Sequence, residues 1–237
     1  MPSPEINQIR SELRQMASKE KAQVLMRFFK TGKGQYAEGD KFLGVMVPQT
    51  RKLVKKFENL ERENVLEFLR SKFHEERLLA LLILVRQFEK GSAQRQKEIF
   101  EIYLRNTKFI NNWDLVDLSA DKIVGAFLEK KSKNILFDLA KSKSLWERRI
   151  AMLATFHFIK NGQSEWAIKI AEKLLHDKHD LMHKAVGWML REVGKRCSEK
   201  TECEFLDKHA RTMPRTMLRY AIERFPEEKR KYYLKLK

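Results

Sequence analysis

The sequence predicts an all-helical fold, and three observations carry that reading. Glycine and proline are scarce, nine and five in 237 residues. Apolar residues recur at three- and four-residue steps almost throughout, which is the spacing of one helix face. No convincing two-residue alternation marks a strand. The nearest case, GDKFLGVMVPQT (39–50), contains Pro48 and reads as a buried loop that opens a helix. With 43% hydrophobic residues the chain can build a substantial core, and it is expected to form a single domain over 1–237.

Taken in order, helices are expected over 4–17, 20–30, 48–56, 61–71, 75–90, 93–106, 112–119, 121–131, 133–142, 144–160, 164–175, 180–195, 200–208, 213–224 and 226–236. Three of them look like versions of one another: EERLLALLILVRQF (75–88), WERRIAMLATFHFI (146–159) and LMHKAVGWMLREVG (181–194). Each is a charged start followed by an apolar, alanine-containing run. Leu78, Arg149 and Lys184 fall in phase, 71 and 35 residues apart, so another matching position is expected near residue 113. Paired-helix repeats of this length stack into an α-solenoid of the HEAT or armadillo kind, each pair burying its apolar face against the next. An irregular helical bundle is the alternative. In the solenoid, Trp113, Arg149 and the segment from Lys184 to Trp188 occur at comparable points of successive repeats and are expected on the concave surface.

Lysine and arginine number 49 against 32 acids, a formal charge of +17 spread over nearly every block of the sequence. A polyanion is the natural partner, and nucleic acid fits best, because each neutralised phosphate releases counterions. A membrane surface, or a basic protein with no such partner, stays open on charge alone. Cys197 and Cys203 are too few and too close for a secreted disulfide framework and read as reduced thiols. The N-terminal MPSPEINQIRSELRQM has no apolar core of a signal peptide, and no stretch approaches the roughly 18 apolar residues of a membrane span. A cytoplasmic location, nucleoid-associated when bound to DNA, is expected. His179 and His183 stand at helical spacing, but no cysteine or second pair completes a ligand set, so neither metal nor cofactor is expected.

No phosphate-binding glycine loop, metal helix or nucleophile elbow is present, so the search for chemistry falls on unusual residues. In NNWDLVDL (111–118), Trp113 and Asp117 are four apart and share a helix face, while Asp114 and Asp117 are three apart. The stretch is either a first helical turn with capping acids or a place where a cation is stabilised. Gly187 beside Trp188 costs about 1 kcal/mol inside a helix relative to alanine, so something is expected to come close there. An acid on a basic surface is wrong for phosphate and calls for a cation. Cleavage of a nucleotide's glycosidic bond supplies one, an oxocarbenium-like sugar that a carboxylate stabilises and water attacks. Aromatic faces hold a cationic base or sugar by cation–π contact, and Arg149 is placed to grip the adjacent phosphate bidentately.

At these residues the sequence resembles the AlkD-type DNA alkylation-repair glycosylases, which are built from HEAT-like repeats. The resemblance runs from MRFFK (26–30) and FLGVMVPQTRK (42–52) through WDLVD (113–117), LWERRIA (145–151) and KAVGWMLRE (184–192) to MPRTMLRYAIERF (213–225), with WDLVD and GWMLRE the most specific pieces. It implies that Asp117 is the catalytic aspartate, Trp113 and Trp188 the lesion-facing tryptophans, and Arg149 the phosphate-binding arginine. Phe28, Arg51, Lys184 and Arg191 join Arg149 as candidate DNA contacts. A tyrosine of the family's N-terminal cleft corresponds to Phe28, which keeps a ring and lacks the hydroxyl. Asp114 is left a capping or salt-bridge role, although sequence alone leaves it interchangeable with Asp117.

The implied activity is a monofunctional glycosylase that removes cationic N3- and N7-alkylated purines from duplex DNA without swinging the base out of the helix. Such a base is already a good leaving group and needs no general acid. The implied partner is double-stranded DNA carrying alkylated bases, met by a monomer with no obligate protein partner. The alternatives are a HEAT-repeat protein that binds damaged or branched nucleic acid without chemistry, and a protein-interaction scaffold, which the charge of +17 disfavours.

Overall fold

Serines placed one residue ahead of apolar periodicity start many of the helices. In the computed structural model, which describes residues 3–236, the side chains of Ser3, Ser18, Ser92, Ser144 and Ser198 each accept from the backbone amide three residues on. Each cap satisfies one of the donors that a helix start leaves open. The helices are α1 (Pro4–Gln15), α2 (Lys19–Phe28), α3 (Val47–Lys56), α4 (Arg62–Leu69), α5 (His74–Lys90), α6 (Ala93–Arg105), α7 (Trp113–Asp117), α8 (Ala126–Leu128), α9 (Asn134–Ala140), α10 (Leu145–Lys160), α11 (Glu165–Leu174), α12 (Asp180–Arg196), α13 (Glu199–His209), α14 (Arg215–Ala221) and α15 (Glu227–Lys235). No strand occurs among the described residues, and the chain has the helical repeat fold expected from its periodicity.

The chain divides into two compact units, residues 1–119 and 120–237. In the first, α5 is the hub: α3, α4, α6 and α7 all pack on it. In the second, α10 packs against α9, α11 and α12, and α12 against α11, α13 and α14. These three inner helices are the ones whose sequences resemble one another, and their first residues, His74, Leu145 and Asp180, keep the expected spacing of 71 and 35. Surrounded by neighbours, α5 and α10 are apolar on nearly every side and read as runs, whereas α12 keeps a polar face.

The repeat expected near residue 113 differs. In place of the helices expected over 112–119 and 121–131 the chain forms the five-residue α7, then a π-helical turn over Asp121–Gly125, then the short α8. Gly125 is pressed so closely against α10 that an added Cβ would lie 2.3 Å from the Ala154 carbonyl oxygen. Gly187 of α12 meets the same constraint from α14, 2.3 Å from the Met217 carbonyl oxygen, which is the close approach its sequence position called for.

The segment 39–46 is a loop, as its proline and glycines suggested, and it leads into α3 at Val47. Its middle is clamped by a buried carboxylate. Glu75, 2% exposed at the start of α5, accepts hydrogen bonds from the amides of Leu43 (2.9 Å), Gly44 (2.8 Å) and Val45 (3.2 Å). A buried carboxylate thus satisfies three backbone donors that would otherwise be stranded. Glu75→Ala should therefore lower the unfolding free energy by about 3 kcal/mol or more in urea titration, and a change below about 1 kcal/mol would contradict the clamp. Gly187→Val should cost about 1–3 kcal/mol through forced separation of α12 and α14, whereas the same change at the open, exposed Gly34 meets no neighbour and acts only through its positive φ.

Candidate functional site

A five-residue helix cannot hold itself in water, so α7 is made by its surroundings. The Asn112 side chain accepts from the Trp113 amide at 2.8 Å, and Leu115 and Val116 are fully buried. At the other end the Ser119 hydroxyl donates to the Leu115 carbonyl at 2.5 Å and meets the Tyr103 hydroxyl at 2.9 Å. With Leu115 and Val116 turned into the core, Trp113 and Asp117 are left half-buried, four residues apart on one face. Asp114 is turned inward, and its Oδ2 lies 2.8 Å from Nε2 of His74. The two acids that sequence left interchangeable therefore have different surroundings: one is locked to a histidine, the other sits beside an indole at the partly exposed face.

Trp113 stands on a stack of rings. It lies flat on Phe29 (centroids 5.2 Å apart, 22° between planes), Phe29 lies on Phe42 (5.1 Å, 18°), and Phe42 lies on His74 (4.6 Å, 18°). Phe28 meets the edge of Trp113 at 5.9 Å and 73°, and is 60% exposed at the end of α2. An aromatic surface open to solvent thus borders the carboxylate-bearing face. Arg51, on α3 of the same unit, is exposed.

Beneath the stack is a group of buried charges. Asp40 Oδ2 is 2.8 Å from the Arg77 guanidinium and 3.7 Å from His74 Nδ1, and Asn111 donates to Asp40 Oδ1 at 3.2 Å. Burial disfavours a charged His74, but the Asp114 and Asp40 carboxylates outweigh it, and the imidazole is held above its ordinary pKa. Burial likewise pushes Asp40 up, while His74 and Arg77 more than offset this and hold the carboxyl below its usual range.

In the second unit, Arg149 on α10 is 5% exposed, and its Nη1 donates to the Leu181 carbonyl at 2.6 Å, bracing α10 against the first turn of α12. Trp188 is half-buried on α12 with its ring 5.7 Å from that of Phe156. Lys184 pairs with Asp180 at 2.7 Å, one turn earlier, and Arg191 pairs with Glu223. The histidine pair has local work: His179 Nδ1 accepts from the Leu181 amide at 3.1 Å, and His183 Nε2 meets the Asp177 carbonyl at 2.5 Å. No group of three or more metal-ligating side chains is found among the described residues. No helix among them is long and apolar enough to cross a membrane.

Sequence reasoning missed His74, Asp40 and Phe29. Asp40 and Asp114 lie 34 and 40 residues from His74 with no motif linking them, so no spacing could have announced the network. Its pH dependence follows from the shifts. Because the folded His74 pKa is raised, its contribution to stability is complete below about pH 6.5 and is lost as pH climbs through the raised value. Urea unfolding of wild type and His74→Gln should differ most at mildly acidic pH, with the gap closing as pH rises. A gap that widens with alkalinity would show that the ring is buried neutral.

Two solved structures share the fold. A predicted DNA alkylation repair enzyme from Enterococcus faecalis superposes with a TM-score of 0.69 at 15% identity, covering 90% of this chain and 98% of that one. AlkD2 from Streptococcus mutans superposes with a TM-score of 0.54 at 18% identity, covering 94% and 97%. No curated protein shows a significant match. The family model described as DNA alkylation repair enzyme matches residues 9–225, nearly the whole chain, and the protein belongs to that family.

Proposed function

We propose that the protein is a monofunctional DNA glycosylase that hydrolyses the N-glycosidic bond of cationic N3- and N7-alkylated purines in duplex DNA. The observation that carries this is α7: one face offers a half-buried carboxylate and a half-buried indole, while the neighbouring acid is spent on His74. As the bond between C1′ and the purine nitrogen breaks, the electron pair leaves with the base, neutralising its positive charge. Asp117 stabilises the charge that then builds on the sugar, and the attacking water gives its oxygen to C1′ and its proton to solvent. An already cationic base needs no general acid. Trp113, with Phe28 at its edge, offers the π surface that attracts such a base.

Each unit carries candidate DNA contacts of its own: Phe28 and Arg51 in the first, and Arg149, Lys184, Arg191 and the Trp188 indole in the second. The net charge of +17 supports a DNA partner. We take the enzyme to act as a monomer in the cytoplasm, at the nucleoid when bound, without metal or cofactor, and without base flipping. A second reading, binding of damaged or branched nucleic acid without chemistry, is served equally by the charge of +17, and Arg149, 5% exposed, presents little of its guanidinium to a phosphate under either reading.

Release of free methylated purine from alkylated duplex DNA separates the two. Wild type should release base, and Asp117→Asn should lose roughly 100- to 1,000-fold in rate, about 3–4 kcal/mol, while keeping DNA affinity. A folded, DNA-binding wild type that releases nothing would hand the function to the binding reading. Affinity should fall with salt along a log–log slope of about −0.9 per phosphate contacted, and a flat response would remove DNA as the partner.

A further inference from the structure

The chemistry proposed above uses Asp117 and Trp113, which share the five-residue α7, and the Trp113 indole lies on the ring of Phe29. Both the helix and that ring touch one buried side chain. His74 Nε2 bonds Asp114 Oδ2 at 2.8 Å, and Asp114 lies one helical turn before Asp117 on α7. The His74 ring also packs face to face with Phe42 at 4.6 Å and against Phe29 at 5.0 Å, and Phe29 is the ring on which Trp113 lies.

We infer that His74 is a positioning residue for the glycosylase: through Asp114 it sets the place of Asp117, and through the Phe42–Phe29 stack it sets the place of Trp113, without itself touching substrate. The inference rests on the roles proposed above for Asp117 and Trp113. His74 is 2% exposed, and Phe29 stands between its ring and the Trp113 indole. It is therefore a poor candidate for a direct contact and a good one for a support.

The support is electrostatic as well as steric. The charged and polar groups facing His74 are Asp114 on α7, Asp40 on the loop before α3, and Arg77 one turn along α5. Two carboxylates against one guanidinium leave the imidazole the natural cation of the cluster, and its raised pKa agrees. While it is protonated, Nε2–H donates to Asp114 in a charge-assisted bond, and the cation faces Phe42. When it is deprotonated, Asp114 faces a neutral ring and Asp40 keeps only Arg77 and Asn111. The pull that holds α7 against α5 then weakens.

The test compares wild type with His74→Gln, which keeps a donor but not a charge or a ring, and Asp114→Asn, which keeps the ring and weakens its bond. Far-UV circular dichroism confirms that each is folded, and either variant suffices if the other is not. Single-turnover release of methylated purine should fall about tenfold or more in both, with DNA affinity changed less than about twofold, because a displaced reacting group costs rate rather than binding. Independently of activity, the share of tryptophan emission that Trp113→Phe removes should change in wild type as pH rises between about 6 and 9, and should stay constant in His74→Gln. An emission share equally flat in wild type, or release by folded His74→Gln within about twofold of wild type, would overturn the inference. If wild type releases no base, the glycosylase reading fails, and the emission titration still decides whether His74 places Trp113.

Discussion

The first unit depends on four consecutive charged side chains, His74, Glu75, Glu76 and Arg77, buried together at the start of α5. Taking charges out of water is costly unless each finds a partner, and here the partners come from α1, α7, the loop before α3 and the turn before α5. His74 takes Asp114 on α7, Glu75 takes the amides of residues 43–45, Glu76 takes Arg10 on α1, and Arg77 takes Asp40 and the Ser71 carbonyl. An apolar helix start would tolerate these segments in several registers. Four buried charges tolerate one, because any slip strands a charge.

That rigidity matters where function is proposed. Directly over the charged row lie Phe42, Phe29 and Trp113, and beside it α7 with Asp117. In contrast α2 buries none of its residues and presents Val24, Met26 and Phe28 to solvent. A site in which the carboxylate is fixed by a buried network while a neighbouring aromatic stays open suits a reaction whose main demand is a preorganised negative charge at a developing cation. The second unit reaches order by other means. There, glycines at 125 and 187 let helices approach to backbone contact, and Arg149 ties α10 to α12.

Much of the fold could be read from the sequence because it is made of local signals. Scarce glycine and proline and apolar spacing place most helices within a few residues, and the spacing of 71 and 35 between the inner helices survives in the structure. Gly187 announced a close neighbour, and Met217 is that neighbour. The break after NNWDLVDL was read, as separate helices over 112–119 and 121–131, but the shortness of α7 and the π-helical turn at Asp121–Gly125 were not, because nothing local in the sequence marks either. The charged starts EERLL and WERRI carry no sign of burial in the sequence, yet Glu75, Glu76, Arg77 and Arg149 are buried. Burial of charge is decided by partners tens of residues away, such as Asp40 and Leu181, and no periodicity encodes them. Asp117 and Trp113 were legible as a pair from spacing alone. Their separation from Asp114 needed His74.

The most direct measurement of this arrangement is the titration of the His74 imidazole in the folded protein, followed by nuclear magnetic resonance in wild type and in Asp114→Asn. The buried network requires a midpoint above the ordinary 6.5 in wild type, falling when the Asp114 charge is removed. A wild-type midpoint below 6.5, unmoved by Asp114→Asn, would mean that His74 is buried as a neutral ring and that the charged row does not organise the face carrying Trp113 and Asp117.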